Sequence, residues 1–306
     1  MEQQHLSSLL DWSHEDITEI LQLTQDIKTN PDKYRSALAG KTLGMIFEKK
    51  STRTRVSFET GIYQLGGIGL FLSSNDMQLG RGETIADTAR VLSRYLDIVM
   101  ARVFGQETID ELAKWSDVPV INGLSDEFHP CQALTDFFTM TERFGSDLKG
   151  RKFTYIGDGN NMAHSLMLCG AKLGVHVSIG CPDGYQPDEA ITAASRNAGF
   201  GANIEVTADL KKAALDADVI YTDVWASMGQ EDEQAERLKA FDGFIVDDTI
   251  MSYAKPEALF MHCLPAHRGE EVSASVCDGP QSVIFDQAEN RLHTQKAIMV
   301  ALSNAR

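Results

Sequence analysis

The most chemically distinctive segment of the chain is EKKSTRTR, residues 48–55, which holds four basic side chains against one acid. An apolar, strand-like run precedes it, and Ser51 can cap a helix that begins there. The first amide groups of a helix have no intrahelical partner and carry the positive end of its dipole. Together with hydroxyls and a guanidinium, they can form a cradle for phosphate without the glycine spacing of a Walker loop. The segment therefore predicts a phosphate site; the alternative is a capped surface helix with solvated basic residues.

Two arginines of this segment cannot serve one ligand together. Arg53 and Arg55 lie two residues apart, which separates their directions on a helix by about 200°. We therefore expect one of them to make a structural ion pair. Further polar groups follow other strand-like runs: Arg102 comes after DIVMA, and His129 and Gln132 stand at a helix start in HPCQ. Their equivalent positions favour the phosphate-site prediction.

The composition limits what else the chain can bind. Its 306 residues include 28 Lys plus Arg and 44 Asp plus Glu, a formal net charge of −16. This charge argues against binding to nucleic acid or to an anionic membrane surface, so an anion requires a local reversal of charge. No apolar run approaches the roughly 18 residues of a membrane span, and the N-terminus lacks the features of a secretory signal. Five cysteines without a close pair then favour a reduced, cytoplasmic protein.

Strand-like and helical patterns alternate along the chain. This alternation predicts an α/β fold of two domains, each a mostly parallel sheet with helices on both faces. The polar segment 146–152 is the predicted joint, with domains over 1–145 and 146–287. A capping-box pattern of Ser13 and Asp16 begins a first helix, which Asn30 and Pro31 end. The predicted strands are 43–48, 68–72, 97–103, 118–122, 152–157, 176–181, 203–207, 218–223, 243–246 and 259–263, and 282–286 leads into a last helix at 288–303.

Ligands of open parallel sheets bind beyond the carboxyl ends of the strands, which directs attention to the loops after them. Four motifs there, in order, resemble the aspartate/ornithine carbamoyltransferase family: STRTR (51–55), HPCQALTD (129–136), DVWASMGQE (223–231) and HCLPAHRG (262–269). The third is similar to members that use ornithine. The resemblance covers nearly the whole chain. It implies a carbamoyl-phosphate domain first, with residues 288–306 packing back on it, and an ornithine domain second.

The resemblance also implies an activity: transfer of the carbamoyl group of carbamoyl phosphate to the δ-amine of L-ornithine in arginine biosynthesis. It implies no metal and no organic cofactor, and a homotrimer or a multiple of trimers. The carbamoyl-phosphate residues would be Ser51, Thr52, Arg53, Thr54, Gln78, Arg102, His129, Gln132, Cys263, Leu264 and Arg291. The ornithine residues would be Asn161, Asp223, Ser227 and Met228. The catalytic residues would be Arg102, His129, Cys263 and Arg291.

Two points of the implied mechanism stay open. The family assigns proton acceptance to Cys263, but Asp223 also follows a strand end where the amine should enter. The direction of the reaction is not determined by the residues either. Gln78 lies in a loop that, in this family, can complete the site of a neighbouring subunit.

Acidic residues around the third motif favour a substrate with two amines. Asp223 is followed by an acidic run at 231–233, and Arg237 is the first basic residue after them. A diamino monocarboxylate such as ornithine fits this charge, whereas aspartate does not. The acidic run is also consistent with a solvated helix start. Carbamoyl transfer to putrescine or to an acetylated ornithine is the nearest alternative.

Three other interpretations are weaker. GDGNNM (157–162) suggests a nicotinamide dehydrogenase, but Met162 stands where the dinucleotide fingerprint requires glycine. His262, Cys263 and His267 suggest a metal site, but a fourth ligand at zinc-like spacing is missing. A phosphate-binding protein without catalysis is the third. The ordered set of catalytic-type residues favours an enzyme.

Overall fold

The computed structural model describes residues 3–75, 77, 82–226 and 231–305. The chain divides into two compact units, Met1–Phe138 with Asn290–Arg306, and Thr139–Glu289. Each unit contains one parallel sheet with helices, which confirms the predicted α/β class. None of the described helices is both long and apolar enough to cross a membrane.

The first unit is built on a four-stranded parallel sheet with the order β2-β1-β3-β4. Its strands are β1 (Thr42–Phe47), β2 (Ile68–Ser73), β3 (Ile98–Arg102) and β4 (Val120–Leu124). Its helices are α1 (His14–Thr29), α2 (Thr52–Gln64), α3 (Ile85–Leu92) and α4 (Gln106–Trp115). Helix α5 (Pro130–Phe144) continues into the second unit, and a 3-10 turn covers Pro31–Tyr34.

The second unit is built on a five-stranded parallel sheet with the order β7-β6-β5-β8-β9. Its strands are β5 (Lys152–Ile156), β6 (His176–Gly180), β7 (Ile204–Thr207), β8 (Val219–Thr222) and β9 (Leu259–His262). Its helices are α6 (Asn161–Lys172), α7 (Glu189–Arg196), α8 (Leu210–Ala214), α9 (Gln234–Ala240), α10 (Asp248–Tyr253) and α11 (Ala274–Cys277). Helix α12 (Ile284–Asn304) begins in this unit and continues into the first.

Local signals set the helix ends as predicted. The Ser13 hydroxyl accepts a hydrogen bond from the Asp16 amide at 3.0 Å, and the Asp16 carboxylate accepts one from the Ser13 amide at 3.1 Å. This is the predicted capping box, and α1 ends at Thr29, two residues before Pro31. Ser51 caps α2 in the same way, through the amide of Thr54 at 3.1 Å. Capping of this kind stabilises a helix by about 1 kcal/mol.

Apolar side chains from strands and helices fill the core of each unit. In the first unit the core includes Ile46, Val99 and Val120 from the sheet. In the second it includes Ile220 and Phe260, both fully buried. Strands of a parallel sheet are covered on both faces, which accounts for their nearly continuous apolar sequences.

Two of the predicted boundaries were wrong. Residues 243–246 form no strand, because only Val246 pairs, with Val272, in an isolated bridge. Asp247 caps α10 directly after it, so the chain turns before a second pair can form. The last helix begins at Ile284, four residues earlier than predicted, and Ser282 contributes only an isolated bridge to Phe260.

The strand orders identify one switch point in each sheet. In the first unit the order reverses between β1 and β3, and in the second between β5 and β8. The crevice at such a point, beyond the carboxyl ends of the strands, is the usual ligand site of open α/β sheets. In the first unit, residues 48–55 follow β1 and Arg102 ends β3; in the second, residues 157–161 follow β5 and Asp223 follows β8.

Candidate active site

Thr54 is the meeting point of two arginines in the first unit. Its side chain is fully buried at the start of α2. The Thr54 hydroxyl oxygen accepts hydrogen bonds from Arg102 Nη1 at 3.3 Å and from Arg291 Nη2 at 3.0 Å. Arg102 is the last residue of β3, and Arg291 comes from α12. Two elements far apart in the sequence, β3 and α12, therefore place cationic donors beside the first amide groups of a third element, α2.

Arg291 is held by a second contact. Its Nη1 donates to Gln132 Oε1 at 2.7 Å, and Gln132 Nε2 donates to Asp136 Oδ1 at 2.6 Å. Gln132 and Asp136 lie four residues apart on α5 and are buried. Hydrogen bonds that involve a charged group are stronger than neutral ones, so these two linked hydrogen bonds fix the position of the Arg291 guanidinium.

His129 is buried directly before α5, in a positive environment. Burial lowers its pKa well below the usual value, and the charges of Arg291, Arg102 and Arg53 lower it further. The imidazole is consequently neutral near pH 7, and it can donate only one N–H. The predicted residues Arg53, Arg102, His129 and Arg291 therefore share one electrostatic environment.

Two other cations of the basic segment, Lys49 and Arg55, have structural partners. Arg55 pairs with Glu59 at 3.4 Å and lies 3.9 Å from the centre of the Phe71 ring. This confirms that one of the two arginines makes an ion pair. Lys49 is buried, pairs with Asp126 and lies over the ring of Phe104. Of the flanking residues, Ser51 is half-buried, and Thr52 and Arg53 are exposed.

In the second unit a thiol and a carboxylate meet beyond two neighbouring strands. Cys263 follows β9, Asp223 follows β8, and Cys263 Sγ donates a hydrogen bond to Asp223 Oδ1 at 3.0 Å. The register pairs Thr222 with His262, so the two residues after them are brought side by side. The Asp223 carboxylate also accepts a hydrogen bond from the Val224 amide at 2.8 Å. In this contact the thiol is the donor and the carboxylate is the acceptor.

A second carboxylate, Asp158, lies near this pair after β5. Arg237 Nη1 donates to Asp158 Oδ2 at 2.6 Å and to the Trp225 carbonyl at 3.0 Å. Burial raises the pKa of Asp158; the ion pair with Arg237 opposes this, and the charge of Asp223 adds to it. Burial also raises the pKa of the Tyr155 hydroxyl, again with a contribution from Asp223. These shifts indicate an anionic environment, which favours a cationic ligand.

The turn after β9 is fixed by buried side chains. His262 Nδ1 accepts a hydrogen bond from the Leu264 amide at 2.8 Å, and His262 Nε2 lies 3.2 Å from Glu271 Oε1. Leu264 has a φ of 60°, an uncommon conformation for a residue with a side chain. The Leu264–Pro265 peptide is cis. These contacts define the backbone directly after Cys263.

The GDGNNM turn does not present a dinucleotide site. A Cβ on Gly159 would lie 2.2 Å from Pro187 N and 2.6 Å from Tyr185 O. The space through which a pyrophosphate would approach this glycine is therefore occupied by backbone. Asn160 caps α6 through the Met162 amide at 3.0 Å, and the predicted ornithine residue Asn161 is the first residue of that helix. The glycine serves close packing of the chain, which argues against the dehydrogenase interpretation.

Three predicted site residues, Gln78, Ser227 and Met228, lie outside the residues that the structure describes. The described ones fall into two groups. Ser51, Thr52, Arg53, Thr54, Arg102, His129, Gln132 and Arg291 belong to the first unit, and Asn161, Asp223, Cys263 and Leu264 belong to the second.

Comparison with known families covers both units. Residues 4–142 match the carbamoyl-P binding domain of aspartate/ornithine carbamoyltransferase. Residues 149–302 match its Asp/Orn binding domain. The chain belongs to the aspartate/ornithine carbamoyltransferase family. The motifs STRTR and HPCQALTD lie within the first match, and DVWASMGQE and HCLPAHRG lie within the second.

Individual members of the family resemble the chain along nearly its whole length. An ornithine carbamoyltransferase of Oceanobacillus iheyensis is 58% identical over 299 residues, covering 96% of this chain and 92% of the relative. One of Thermococcus kodakarensis is 57% identical over 295 residues, covering 95% and 93%. The solved structure of the Pyrococcus furiosus enzyme superposes with a TM-score of 0.93 at 54% identity, covering 96% and 95% of the chains. An anabolic ornithine carbamoyltransferase of Campylobacter jejuni gives a TM-score of 0.93 at 43% identity and covers 99% of each chain.

Sequence reasoning missed some groups that shape this carbamoyltransferase site. The sequence places Asp158 only within a dinucleotide-like pattern, although it follows a strand end like the other candidates. Arg237 stands out in the sequence only as the first base after an acidic run. The pairing of these two, like that of Lys49 with Asp126, joins positions far apart in the sequence. In each pair at least one charged side chain is buried, and this signal is visible only in three dimensions.

Proposed function

We propose that the chain transfers the carbamoyl group of carbamoyl phosphate to the δ-amine of L-ornithine, which gives L-citrulline and phosphate. The observation that carries the proposal is the convergence of Arg102 and Arg291 on Thr54 at the start of α2. This arrangement supplies donors to a phosphate and to a carbonyl oxygen at once. The names of the relatives, ornithine carbamoyltransferases at 53–58% identity, support the choice of the second substrate.

The start of α2 would hold the phosphate. Helix N-termini bind anions through free amides and the helix dipole, and Ser51, Thr52 and Thr54 add hydroxyl donors. Arg53 is exposed and near enough to act electrostatically on His129. We assign Arg53 to the phosphate, where its charge would stabilise the leaving dianion.

Arg102, His129 and Arg291 would stabilise the oxygen of the carbamoyl group. Attack by the amine converts the carbonyl into a tetrahedral intermediate, and negative charge develops on its oxygen. Two fixed guanidiniums and a neutral imidazole N–H are donors suited to that charge. Gln132 Oε1, which anchors Arg291, together with Leu264, would orient the carbamoyl nitrogen. Correct placement of the two substrates would contribute several kcal/mol more, about the effect of proximity in intramolecular reactions.

The second unit would bind ornithine and accept its proton. The Asp223 carboxylate and the Cys263 thiol form a hydrogen-bonded pair at the strand ends, where the δ-amine would bind. The amine must be neutral to attack, so the pair takes the proton as a unit, with the carboxylate as the acceptor within it. Asn161, Ser227 and Met228 are assigned to the amino-acid end of ornithine.

The proposal extends to domains, assembly and location. We assign the carbamoyl-phosphate domain to residues 1–145 with 288–306, and the ornithine domain to 146–287, which the two family matches support. We propose a homotrimer or a multiple of trimers, in which Gln78 completes the site of a neighbouring subunit. Five free thiols support a cytoplasmic location. Relatives named anabolic support the citrulline-forming direction and arginine biosynthesis.

The test of the substrate is an assay of citrulline formation with ornithine, putrescine and N-acetylornithine at fixed carbamoyl phosphate. We expect ornithine to have the highest kcat/KM. The anionic environment of Asp158 and Asp223 would bind an amine, and Asn161 at the start of α6 would bind the amino-acid end that putrescine lacks. Faster turnover of putrescine or of the acetylated amine would contradict the assignment of the second substrate.

The test of the phosphate site compares two arginines of α2. Arg53→Ala should weaken transition-state stabilisation by about 2–5 kcal/mol. This corresponds to a roughly 30-fold to several-thousand-fold lower kcat/KM for carbamoyl phosphate. Arg55→Ala is the matched control, because Arg55 is engaged with Glu59 and Phe71. Its effect on kcat/KM should be less than about threefold, since exposed ion pairs contribute little. Equal losses in the two variants would show that the phosphate site is wrongly placed.

A further inference from the structure

The turn after β9 brings together three groups that commonly ligate metal ions. His267, Glu270 and Glu271 each offer one ligand atom, and these atoms lie within 4.8 Å of one another. His267 Nδ1 is 3.9 Å from Glu270 Oε2 and 3.7 Å from Glu271 Oε2. We propose that these three side chains bind a divalent transition-metal ion of the Zn²⁺ class, at a site distinct from the substrate residues.

The distances are close to those of a bound site. Zinc binds imidazole nitrogen and carboxylate oxygen at about 2.0–2.2 Å, which places tetrahedral ligands roughly 3.3–3.6 Å apart. The two distances from His267 need to contract by only a few tenths of an ångström. The side chains of His267 and Glu270 are 50% and 43% exposed, so both can adjust. They also line a surface pocket with Trp225 and Arg237, which gives an ion access from solvent.

Glu271 supplies an independent indication of a missing ligand. Its side chain is fully buried, and its Oε2 accepts no hydrogen bond from any residue that the structure describes. The other oxygen accepts hydrogen bonds from the His267 amide and from the His262 ring. The carboxylate is therefore oriented, with its bare oxygen nearest to His267. A buried carboxyl oxygen without a hydrogen bond is unfavourable, and coordination to a cation would compensate it.

Among the described residues, the ion-pair partners of the two glutamates of the turn are histidines. Within the described chain, no Lys or Arg side chain lies at ion-pair distance from Glu270 or Glu271. The neighbouring Arg268 is engaged by Asp278 through two hydrogen bonds of 2.8 and 2.6 Å. Two adjacent carboxylates and an imidazole thus face a position with a net negative charge. Oxygen and imidazole ligands of this kind suit zinc and its neighbours in the first transition row.

The turn itself is preformed. The Glu270 amide donates to the His267 carbonyl at 3.0 Å, and the Gly269 amide donates to the Val272 carbonyl at 2.8 Å. These bonds keep His267 and Glu270 on the same side of the turn. A site with fixed backbone loses little entropy when the ion binds, which favours affinity.

A second group, Asp223, His262 and Cys263, also places ligand atoms within 4.8 Å of one another. Both ring nitrogens of His262 are already engaged, with the Leu264 amide and with Glu271. The Asp223 carboxylate is engaged with the Cys263 thiol, and both belong to the proposed ornithine site. The experiment must therefore separate binding at the thiol from binding at the turn.

The test is calorimetric titration of ZnCl₂ into the full-length metal-free protein that carries Cys263→Ser, which removes the thiol. We expect one bound Zn²⁺, and a loss of affinity of at least tenfold when His267→Ala and Glu270→Gln are added. Glu257→Gln in the same background is the control for charge, because Glu257 is exposed in the same unit. It should leave the affinity unchanged, and circular dichroism should show that all variants are folded.

Titration with Co²⁺ gives a second readout in the wild-type protein. Binding at the turn should produce visible absorption without a thiolate-to-cobalt charge-transfer band, since no sulfur ligand takes part. Absence of zinc binding in the Cys263→Ser protein, or unchanged affinity in the triple variant, would overturn the proposal. A strong thiolate band for the first equivalent of cobalt would do the same.

Discussion

His129 lies within the electrostatic reach of three guanidinium groups, from Arg53, Arg102 and Arg291, and its ring is buried before α5. Burial is the larger cause of its lowered pKa, and the three positive charges act in the same direction. A protonated imidazole would add a fourth cation, whereas the neutral ring contributes a donor without one. The residue can therefore assist a developing oxyanion while the arginines supply the charge.

The burial of His129 predicts a pH dependence of stability. Its pKa is about 6.5 in the unfolded chain and well below that in the folded protein. As the pH falls below about 6.5, the unfolded state takes up a proton that the folded state does not, so stability decreases by at most about 1.4 kcal/mol per pH unit. In His129→Gln this contribution is absent. Thermal unfolding of both proteins between about pH 7.5 and pH 5.5 measures it.

Between about pH 7.5 and pH 5.5, the midpoint temperature of the wild-type protein should fall by more than that of the variant. Above about pH 7.5 the difference between the two midpoints should be constant, because the group is then neutral in both states. Parallel curves over the whole range would mean that the pKa of His129 is the same in the folded and the unfolded protein, which would contradict the lowered pKa.

Individual site residues differ in how far the sequence could predict them. The division of labour between Arg53 and Arg55 follows from helix geometry alone, and the Arg55–Glu59 pair confirms it. The contact of Arg291 with Thr54 could be expected only from resemblance, because its partners lie more than 150 residues away. Spacing determines direction on one element, but not which elements meet.

At the scale of elements, the turn between β5 and α6 shows what a glycine is needed for. The Gly159 amide donates to the Tyr185 carbonyl at 2.8 Å, and the backbone of residues 185–187 passes directly over the glycine. The turn carries Asp158 on one side and Asn160, the cap of α6, on the other. Close packing of two backbones at this point therefore positions both residues.

We expect Gly159→Ala to be strongly destabilising. The added methyl group would meet backbone atoms at 2.2–2.6 Å, and backbone cannot move aside as a side chain can. The cost should be at least the 1–3 kcal/mol of ordinary overpacking, or about 2–6 °C in midpoint temperature for a chain of this size. Differential scanning fluorimetry measures the change.

Gly61→Ala in α2 is the matched control. Its Cβ would lie 3.2 Å from Met299 Cε and 3.3 Å from Lys296 Cγ, both on flexible side chains, and alanine favours the helix. Its midpoint should change by less than that of Gly159→Ala. A similar midpoint for the two variants would show that the backbone at 185–187 yields easily.

Elements whose signals are local were predicted well. The capping box of α1, the cap of α2 and the stop before Pro31 depend on residues within one or two turns. The apolar run at 243–246 has the composition of a strand but forms only the bridge from Val246 to Val272. Strand formation requires a neighbour of sufficient length, and the sequence of the strand itself does not contain that information.

At the scale of the whole molecule, the surface is not uniformly polar. Apolar side chains on α2 and on the edge strand β2 are exposed: Val56, Tyr63, Ile68, Leu70 and Phe71. Tyr63 and Ile68 are 79% and 64% exposed. Exposed apolar groups on neighbouring elements at a sheet edge are typical of protein–protein contacts. This surface supports the proposed trimer.

If this surface forms the contact between subunits of the proposed trimer, charged residues introduced into it should dissociate the assembly. Tyr63→Glu with Leu70→Glu should convert a species of three chains, about 100 kDa from a chain of 33.7 kDa, into monomer. Light scattering after size exclusion gives the mass directly. Leu215→Glu is the control, because Leu215 is 50% exposed in the second unit.

The control should keep the mass of the wild-type protein. If Gln78 serves a neighbouring subunit, the monomeric variant should also lose activity, although neither substituted residue is assigned to the substrates. A wild-type protein that elutes as a monomer at micromolar concentration would refute the trimer.

The hydrogen bond from Arg291 to Thr54 has a consequence for folding during synthesis on the ribosome. A ribosome completes the sheet of the first unit early, but it delivers Arg291 only after the whole of the second unit has been synthesised. Until then Thr54 and Gln132 lack the guanidinium that both contact. A nascent or prematurely terminated chain would fold much of its first sheet and still lack full affinity for carbamoyl phosphate. The proposed phosphate site is thus completed only by the last helix to be synthesised.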